Sequence, residues 1–472
     1  MNKRFFSLSM AFVMVMALMS QGRAKYVFYF IGDGMGVNQV NGTETYLGAL
    51  EGRIGVSPLT FTQFPAVGIV NTQSATNGVT DSAASGTALA CGRKTKNGAL
   101  GMLADLTTSI SSVAAKAKEA GMAVGVATSV SVDHATPAAF YAHVPERGMY
   151  HRIGKDLITA GFDFYAGADF RNNEDKADTL GTLHEQCGAA GYTLVRNYRE
   201  YQKKRRRADK MLLLQGDKPS HGDRTCLPYA IDRQKDDLTL QQITRAGLSF
   251  LAREDKGKDG FFLMVEGGKI DYACHSNDAA TVFKEVIDLD QAVRVAYEFY
   301  EQHPEETLIV ITADHETGGI VLGRGPYELH LDLLKYQKMS VEKYSAHLKE
   351  LSKKMGDTLT WEAVEADLKE NWGFWQGVKL NDHQTNRLKK AYEALMSGKD
   401  NGTKNLYASL NGLSDAARRT MAECALVGWQ SGGHSNGYVP VFAIGAGSEK
   451  FAGMMDNTAI PARIAEAAGL DL

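Results

Sequence analysis

Four acidic residues and three histidines stand in short segments far apart along the chain: Asp33, Glu266, Asp271 and Asp314, with His275 four residues after Asp271, His315 next to Asp314, and His434 in Gly433-His434-Ser435. Taken singly, each reads more readily as a loop cap or a satisfied buried histidine. Gathered in one crevice, however, the acids would repel one another and raise their own pKa values, and divalent cations are the natural way to hold them together. Mixed Asp/His sets suit zinc, and sets of acids, hydroxyls and waters suit magnesium. A serine, Ser82, lies in Val79-Thr80-Asp81-Ser82-Ala83-Ala84-Ser85-Gly86-Thr87-Ala88, where the small residues after it permit a closely packed helix. At the positive end of that helix dipole a serine would help hold a phosphate and favour its own alkoxide, although Thr-Asp-Ser before an alanine-rich run is by itself most simply a cap.

Elements able to position these residues are legible around them. Three apolar runs, 26–31, 261–265 and 307–312, lack the alternation of a half-wet strand, and each ends in acid: Gly32-Asp33-Gly34, Glu266-Gly267-Gly268-Lys269-Ile270-Asp271 and Ala313-Asp314-His315-Glu316. Continuous apolarity marks strands buried on both faces, and ligand crevices of open α/β sheets lie beyond the carboxyl ends of their strands. Helical periodicity at 110–120 and 282–300 fills the spaces between, so the expected fold class is α/β, a central mostly parallel sheet flanked by helices on both faces. Between His315 and His434 the pattern changes: 327–425 reads as a helical insertion, with Trp361, Val364, Leu368 and Trp372 at helical spacing and Ser414-Asp415 as a cap before 416–426. Its aromatic residues either pack a core, the simpler reading, or line an entrance.

Lys3 and Arg4 precede an apolar stretch to Met19 and small residues at Gly22 and Ala24, which reads as a signal peptide over 1–24. That stretch is short for a membrane span of about 20 residues, so the mature chain is expected to be exported, periplasmic or extracellular, without a span. A length of 472 residues alone would suggest about three domains, but the motif order favours one α/β domain, 25–472, carrying the insertion. The net charge of -3 offers no field to gather nucleic acid or an anionic membrane, and the basic run at 203–207 reads as a solvated helix face. Five cysteines in an oxidising compartment permit at most two bridges, and Cys187 with Cys226 is the first pair to consider.

Together, Ile31-Gly32-Asp33-Gly34-Met35-Gly36, Thr80-Asp81-Ser82-Ala83-Ala84, His134-Ala135-Thr136-Pro137-Ala138, Val265-Glu266-Gly267, Thr312-Ala313-Asp314-His315 and Gly433-His434-Ser435 resemble the alkaline phosphatases in content and order. The serine and Asp-His motifs are the specific ones. The resemblance implies two Zn2+ and one Mg2+: Asp271, His275 and His434 on one zinc; Asp33, Asp314, His315 and the reacting Ser82 on the other; Asp33, Thr136 and Glu266 on magnesium. It implies that Arg147 clamps two phosphate oxygens, that the substrates are small phosphate monoesters, and that the chain forms a homodimer, as members commonly do. Two positions depart from the family pattern. His134 stands where some bacterial members carry an acid, and Tyr272 stands where others carry lysine or histidine; both are expected beside the site rather than in it. Cys274, next to His275, offers a competing thiolate, with the family pattern favouring the imidazole.

Rival readings are weaker. Gly32-Asp33-Gly34-Met35-Gly36 lacks the G-x-G-x-x-G spacing of a dinucleotide site and places an acid where a pyrophosphate would lie. A sulfatase needs C-x-P-x-R, and Cys226-Leu227-Pro228-Tyr229-Ala230 ends in alanine. A phosphodiesterase has little use for a clamp on two free oxygens. A non-catalytic metal or phosphate carrier has none for an intact Ser82 and Arg147.

Overall fold

The computed structural model describes residues 22–253, 256, 258–400 and 402–472. Most of the expected signal peptide, 1–24, lies outside these residues. Ala24 is buried, with its N–H donating to the Ala467 carbonyl at 2.9 Å. Among the described residues no helix is long and apolar enough to cross a membrane.

Ten strands form one sheet: β1 (Tyr26–Gly32), β2 (Ala66–Asn71), β3 (Ala123–Ser131), β4 (Phe164–Ala168), β5 (Tyr192–Arg196), β6 (Lys210–Leu214), β7 (Phe261–Gly267), β8 (Thr307–Thr312), β15 (Val439–Gly445) and β16 (Gly453–Asp456). Three two-stranded ladders hold the remaining strands among the described residues: β9 (Glu316–Thr317) with β14 (His434–Ser435), β10 (Val321–Leu322) with β13 (Val427–Gly428), and β11 (Thr403–Lys404) with β12 (Ser409–Leu410). The sheet runs β16-β2-β15-β8-β1-β7-β3-β4-β6-β5 and is parallel throughout except for β15, which lies antiparallel to β2 and β8. β3, β7 and β8 are buried at every residue and β1 at all but its first, which requires helices on both faces. The helices Leu240–Leu251 and Ala279–Tyr300 supply much of that cover, packing on β3, β4 and β7 and on β1, β7 and β8 respectively.

The three acid-ended strands are neighbours. β1 pairs with β7 on one side, Ile31 opposite Glu266 and Gly32 opposite Gly267, and with β8 on the other, Ile31 opposite Thr312. Parallel register therefore delivers Asp33, Glu266 and Asp314 to one edge. The insertion is built from the helices Val341–Met355, Trp361–Trp372, Asp382–Met396 and Gly412–Cys424. Its tryptophans serve its own core: Trp372 is fully buried, and Trp361 meets Trp375 edge to face. The last of these helices starts earlier than the sequence suggests. Asn411, not Ser414-Asp415, caps it, accepting the Ser414 N–H at 2.8 Å, while Asp415 pairs with Arg418 and Arg419.

The Cys187–Cys226 bridge is not present; all five cysteines are free. Cys187 is buried in the Leu183–Ala189 helix, where burial pushes its thiol up to about 12, and Cys226 lies 3.4 Å from the Lys269 ammonium. In the basic run, Lys203, Lys204, Arg206 and Arg207 are exposed, as a solvated face requires.

Candidate active site

Ser82 opens a ten-residue helix, Ser82–Cys91, whose residues are all buried; the alanines, serines and glycine of the motif are what allow so close a fit. Asp81 is its N-cap, accepting the Ala84 N–H at 3.0 Å and so fixing the first turn. The Ser82 hydroxyl lies 3.2 Å from His315 Nε2. That nitrogen in turn stands 3.4 Å from Asp33 and 3.2 Å from Asp314.

On the other side of Asp271 the pattern repeats. The helix Lys269–His275 places His275 one turn after Asp271, with Nε2 3.2 Å from its carboxylate, and His434 Nε2 stands 3.8 Å from the same group. Each ring is held from behind, His275 Nδ1 at 2.6 Å from the Gly432 carbonyl and His434 Nδ1 at 2.9 Å from that of Thr80. With Nδ1 donating to a carbonyl, the Nε2 lone pair faces the carboxylates, the orientation a metal-binding imidazole needs. The β9–β14 ladder stacks His434 on His315 with ring centroids 3.6 Å apart. Thr317, on β9, donates to Asp271 at 2.6 Å and touches His315 Nδ1 at 3.2 Å. Gly34 must be glycine: its φ is +74°, and a Cβ there would stand 2.9 Å from Asp271.

A third group lies behind Asp33. Glu266, Thr136 and His134 converge there, Glu266 accepting a hydrogen bond from the Thr128 hydroxyl. Arg147 sits beside it, with Nη1 on Asp81 at 3.1 Å and Nη2 3.3 Å from His134 Nε2. Tyr272 forms one wall, stacked on Tyr407 with centroids 3.6 Å apart and backed by the Lys269 ammonium 4.8 Å from its ring.

Both oxygens of Asp33, one oxygen each of Glu266, Asp271 and Asp314, the Thr136 hydroxyl, His275 Nε2 and His134 Nδ1 are buried without a hydrogen-bond partner among the described residues. A single orphaned buried polar atom costs about 1–3 kcal/mol, so eight converging on one another make no sense as packing. Three sets of side chains, Asp271/His275/His434, Asp33/Asp271/His315 and Asp33/His134/Glu266, each place their donor atoms within 4.8 Å of one another. Oxygen and imidazole donors in that arrangement fit divalent metal ions.

The electrostatics agree. Burial, then Asp271, pushes Asp314 up to about 8; burial pushes Glu266 up to about 7; burial and the neighbouring acids drive Asp33 well above the usual carboxylate range. Asp271 alone is held low, because His275, by its charge and hydrogen bond, and then His434 outweigh its burial. Burial keeps His315 and His134 neutral, with His434 adding to the effect at the first and Arg147 at the second.

All ten residues expected at the site, and His134 and Tyr272 beside it, thus fall in one region, with His134 closer to the acids than expected. Cys274 is in none of the donor sets; its thiol faces Gln39. Sequence reasoning passed over Asp81 as a partner of Arg147, and missed Thr317 and Tyr407. Asp81 and Thr317 were within reach, next to Ser82 and two residues after His315. Nothing local marks Tyr407, which arrives from the insertion on the β11–β12 hairpin.

The alkaline phosphatase family model matches residues 24–161 and 163–470. The chain belongs to the alkaline phosphatase family. Membership makes it a hydrolase of phosphate monoesters, and its fold is that of the alkaline phosphatases. Alkaline phosphatase 3 of Bacillus subtilis is 31% identical over 95% of this chain and 90% of its own length. Among solved structures, the cold-active alkaline phosphatase of a psychrophilic Shewanella superimposes with a TM-score of 0.78 at 29% identity, covering 94% of this chain and 99% of that one. The alkaline phosphatase of Thermus thermophilus gives 0.75 at 28%, covering 95% and 92%.

Proposed function

We propose that this alkaline phosphatase cleaves phosphate monoesters through a covalent phosphoserine on Ser82, at a centre of two zinc ions and one magnesium ion. The convergence of orphaned buried donors around Ser82 carries this reading. Asp271, His275 and His434 would hold one zinc, Asp33, Asp314 and His315 the other, and Asp33, Thr136 and Glu266 the magnesium. When bound, the ions lower the pKa of the Ser82 hydroxyl and neutralise charge on the transferring group and the leaving oxygen.

The rest falls to the chain. Ser82, presented at a helix N-terminus and with the neutral His315 imidazole beside it, attacks phosphorus in line; the alcohol leaves and its phosphate stays on Oγ. Water then cleaves that ester from the opposite side, so two inversions return net retention at phosphorus. Arg147 receives two non-bridging oxygens in its planar fork, held in aim by Asp81. A contact of Arg147 Nη2 with His134 Nε2, 3.3 Å apart, gives the arginine a second support. His134 thereby positions the arginine beside the acids.

The test is release of phosphate from p-nitrophenyl phosphate at alkaline pH by protein loaded with zinc and magnesium. Ser82→Ala is expected to abolish both turnover and the phosphoserine trapped on acid quenching and read by mass spectrometry. Phosphate trapped on another residue, or a diester cleaved in preference, would end the proposal. Metal analysis at two zinc to one magnesium checks the ion count, and recovery of the chain from a periplasmic or culture-medium fraction checks export.

A further inference from the structure

A second guanidinium borders the site and has no anion. Arg171 is half-buried, and among the described residues its side chain makes one hydrogen bond, Nη1 to the Tyr150 hydroxyl at 3.2 Å, and no ion pair. The acid beside it, Asp133, spends both carboxylate oxygens on the Arg171 backbone N–H, at 2.9 and 3.1 Å. Four other arginines that are buried or partly so are matched, Arg147 by Asp81, Arg196 by Asp169, Arg233 by Asp288 and Arg418 by Asp415. Most of the donor fork of Arg171 is therefore free at a half-buried position, and a guanidinium so placed is a ready partner for carboxylate or phosphate oxygens.

Its position says which anion. The Arg171 N–H is held by Asp133, the residue before His134, whose Nε2 lies 3.3 Å from Arg147, and the Arg171 guanidinium lies over the Tyr150 ring, 5.3 Å from its centroid. Tyr272, whose stack with Tyr407 walls the site, is a further neighbour of Arg171. Arg147 is already committed to the phosphoryl group being transferred. An anion meeting Arg171 would thus belong to the remainder of the same substrate.

We propose that Arg171 binds a second anionic group on the leaving-group side, so that the site selects phosphate monoesters also bearing a carboxylate or another phosphate. This rests on the phosphomonoesterase reading of the site. A matched pair of probes tests it: 3-phosphoglycerate carries a carboxylate where glycerol 3-phosphate carries a hydroxymethyl group. Binding of both to metal-loaded Ser82→Ala protein is measured by calorimetry, with and without Arg171→Gln. Arg171→Gln is expected to cut the affinity ratio of 3-phosphoglycerate to glycerol 3-phosphate about tenfold, the low end for a charge-assisted hydrogen bond, and Arg171→Lys to restore part of it. In the turning-over enzyme the ratio of kcat/KM for the two is expected to fall by a similar factor. An unchanged ratio, including one in which both probes weaken equally, overturns the proposal and leaves Arg171 a contact of the transferred phosphate or of the fold. Failure of the phosphatase reading would show separately, as no turnover of p-nitrophenyl phosphate by the protein carrying Ser82.

Discussion

Stripping the metals is expected to reverse the sign of the pH dependence of stability. Asp314, its pKa pushed to about 8 by burial and by Asp271, is protonated in the folded metal-free protein at pH 6.5 and ionised at 8.5, whereas in the unfolded chain it is ionised throughout. The folded state binds the extra proton, so stability falls as pH rises across this window. At 1.36 kcal/mol per pKa unit, the titration of Asp314 alone removes about 2 kcal/mol. Glu266, near 7, and the raised Asp33 act in the same direction. His134 and His315, kept neutral in the fold, oppose them, but their unfolded values near 6.5 are almost titrated out by then, leaving less than about 1 kcal/mol in all. In the loaded protein cations keep the acids ionised, and their affinity strengthens with pH, so stability is expected to hold or rise. Urea unfolding at pH 6.5 and 8.5, with chelator and with added zinc and magnesium, reads both slopes. A chelated protein whose stability stayed level or rose would show that these carboxylates ionise without cations, and would refute the account of the centre.

Three substitutions probe its supports. Asp81→Asn keeps a good N-cap for the Ser82 helix but removes the charge that aims Arg147, so KM for a phosphate monoester is expected to rise about tenfold with little change in urea midpoint. Gly34→Ala forces a side chain into a left-handed backbone and against Asp271, and is expected to lower unfolding free energy by more than about 1 kcal/mol in the same urea assay, with weaker metal retention. Thr317→Val removes the hydroxyl that fixes Asp271 and is expected to weaken zinc binding about 10-fold to 100-fold in a competition titration.

What could be read from the chain followed from local causes. The runs ahead of Asp33, Glu266 and Asp314 are apolar at every position because their strands are covered on both faces, and the same burial that makes them legible aligns their ends. Ser82 was visible because only small residues let its helix pack so tightly. Arg171 and Tyr407 were not visible, since an arginine after a strand and a tyrosine at a hairpin tip acquire meaning only from what folds against them. The cysteine pairing failed for a related reason: Cys226 took Lys269 as its neighbour, a contact that no spacing of cysteines announces. At the insertion, periodicity found the helices but not the start of the last one, because several residues near Asn411 can cap and geometry chooses among them.

The side-by-side placement of β8, β1 and β7 gives the catalytic centre its gauge. Adjacent strands stand about 4.8 Å apart, a pitch at which carboxylates leaving consecutive strands, Asp314 and Asp33 or Asp33 and Glu266, can share one cation of the proposed centre. That pitch is set by main-chain ladders rather than by the fit of side chains underneath. Repacking the apolar interior should therefore erode the melting temperature long before it detunes the spacing on which turnover depends.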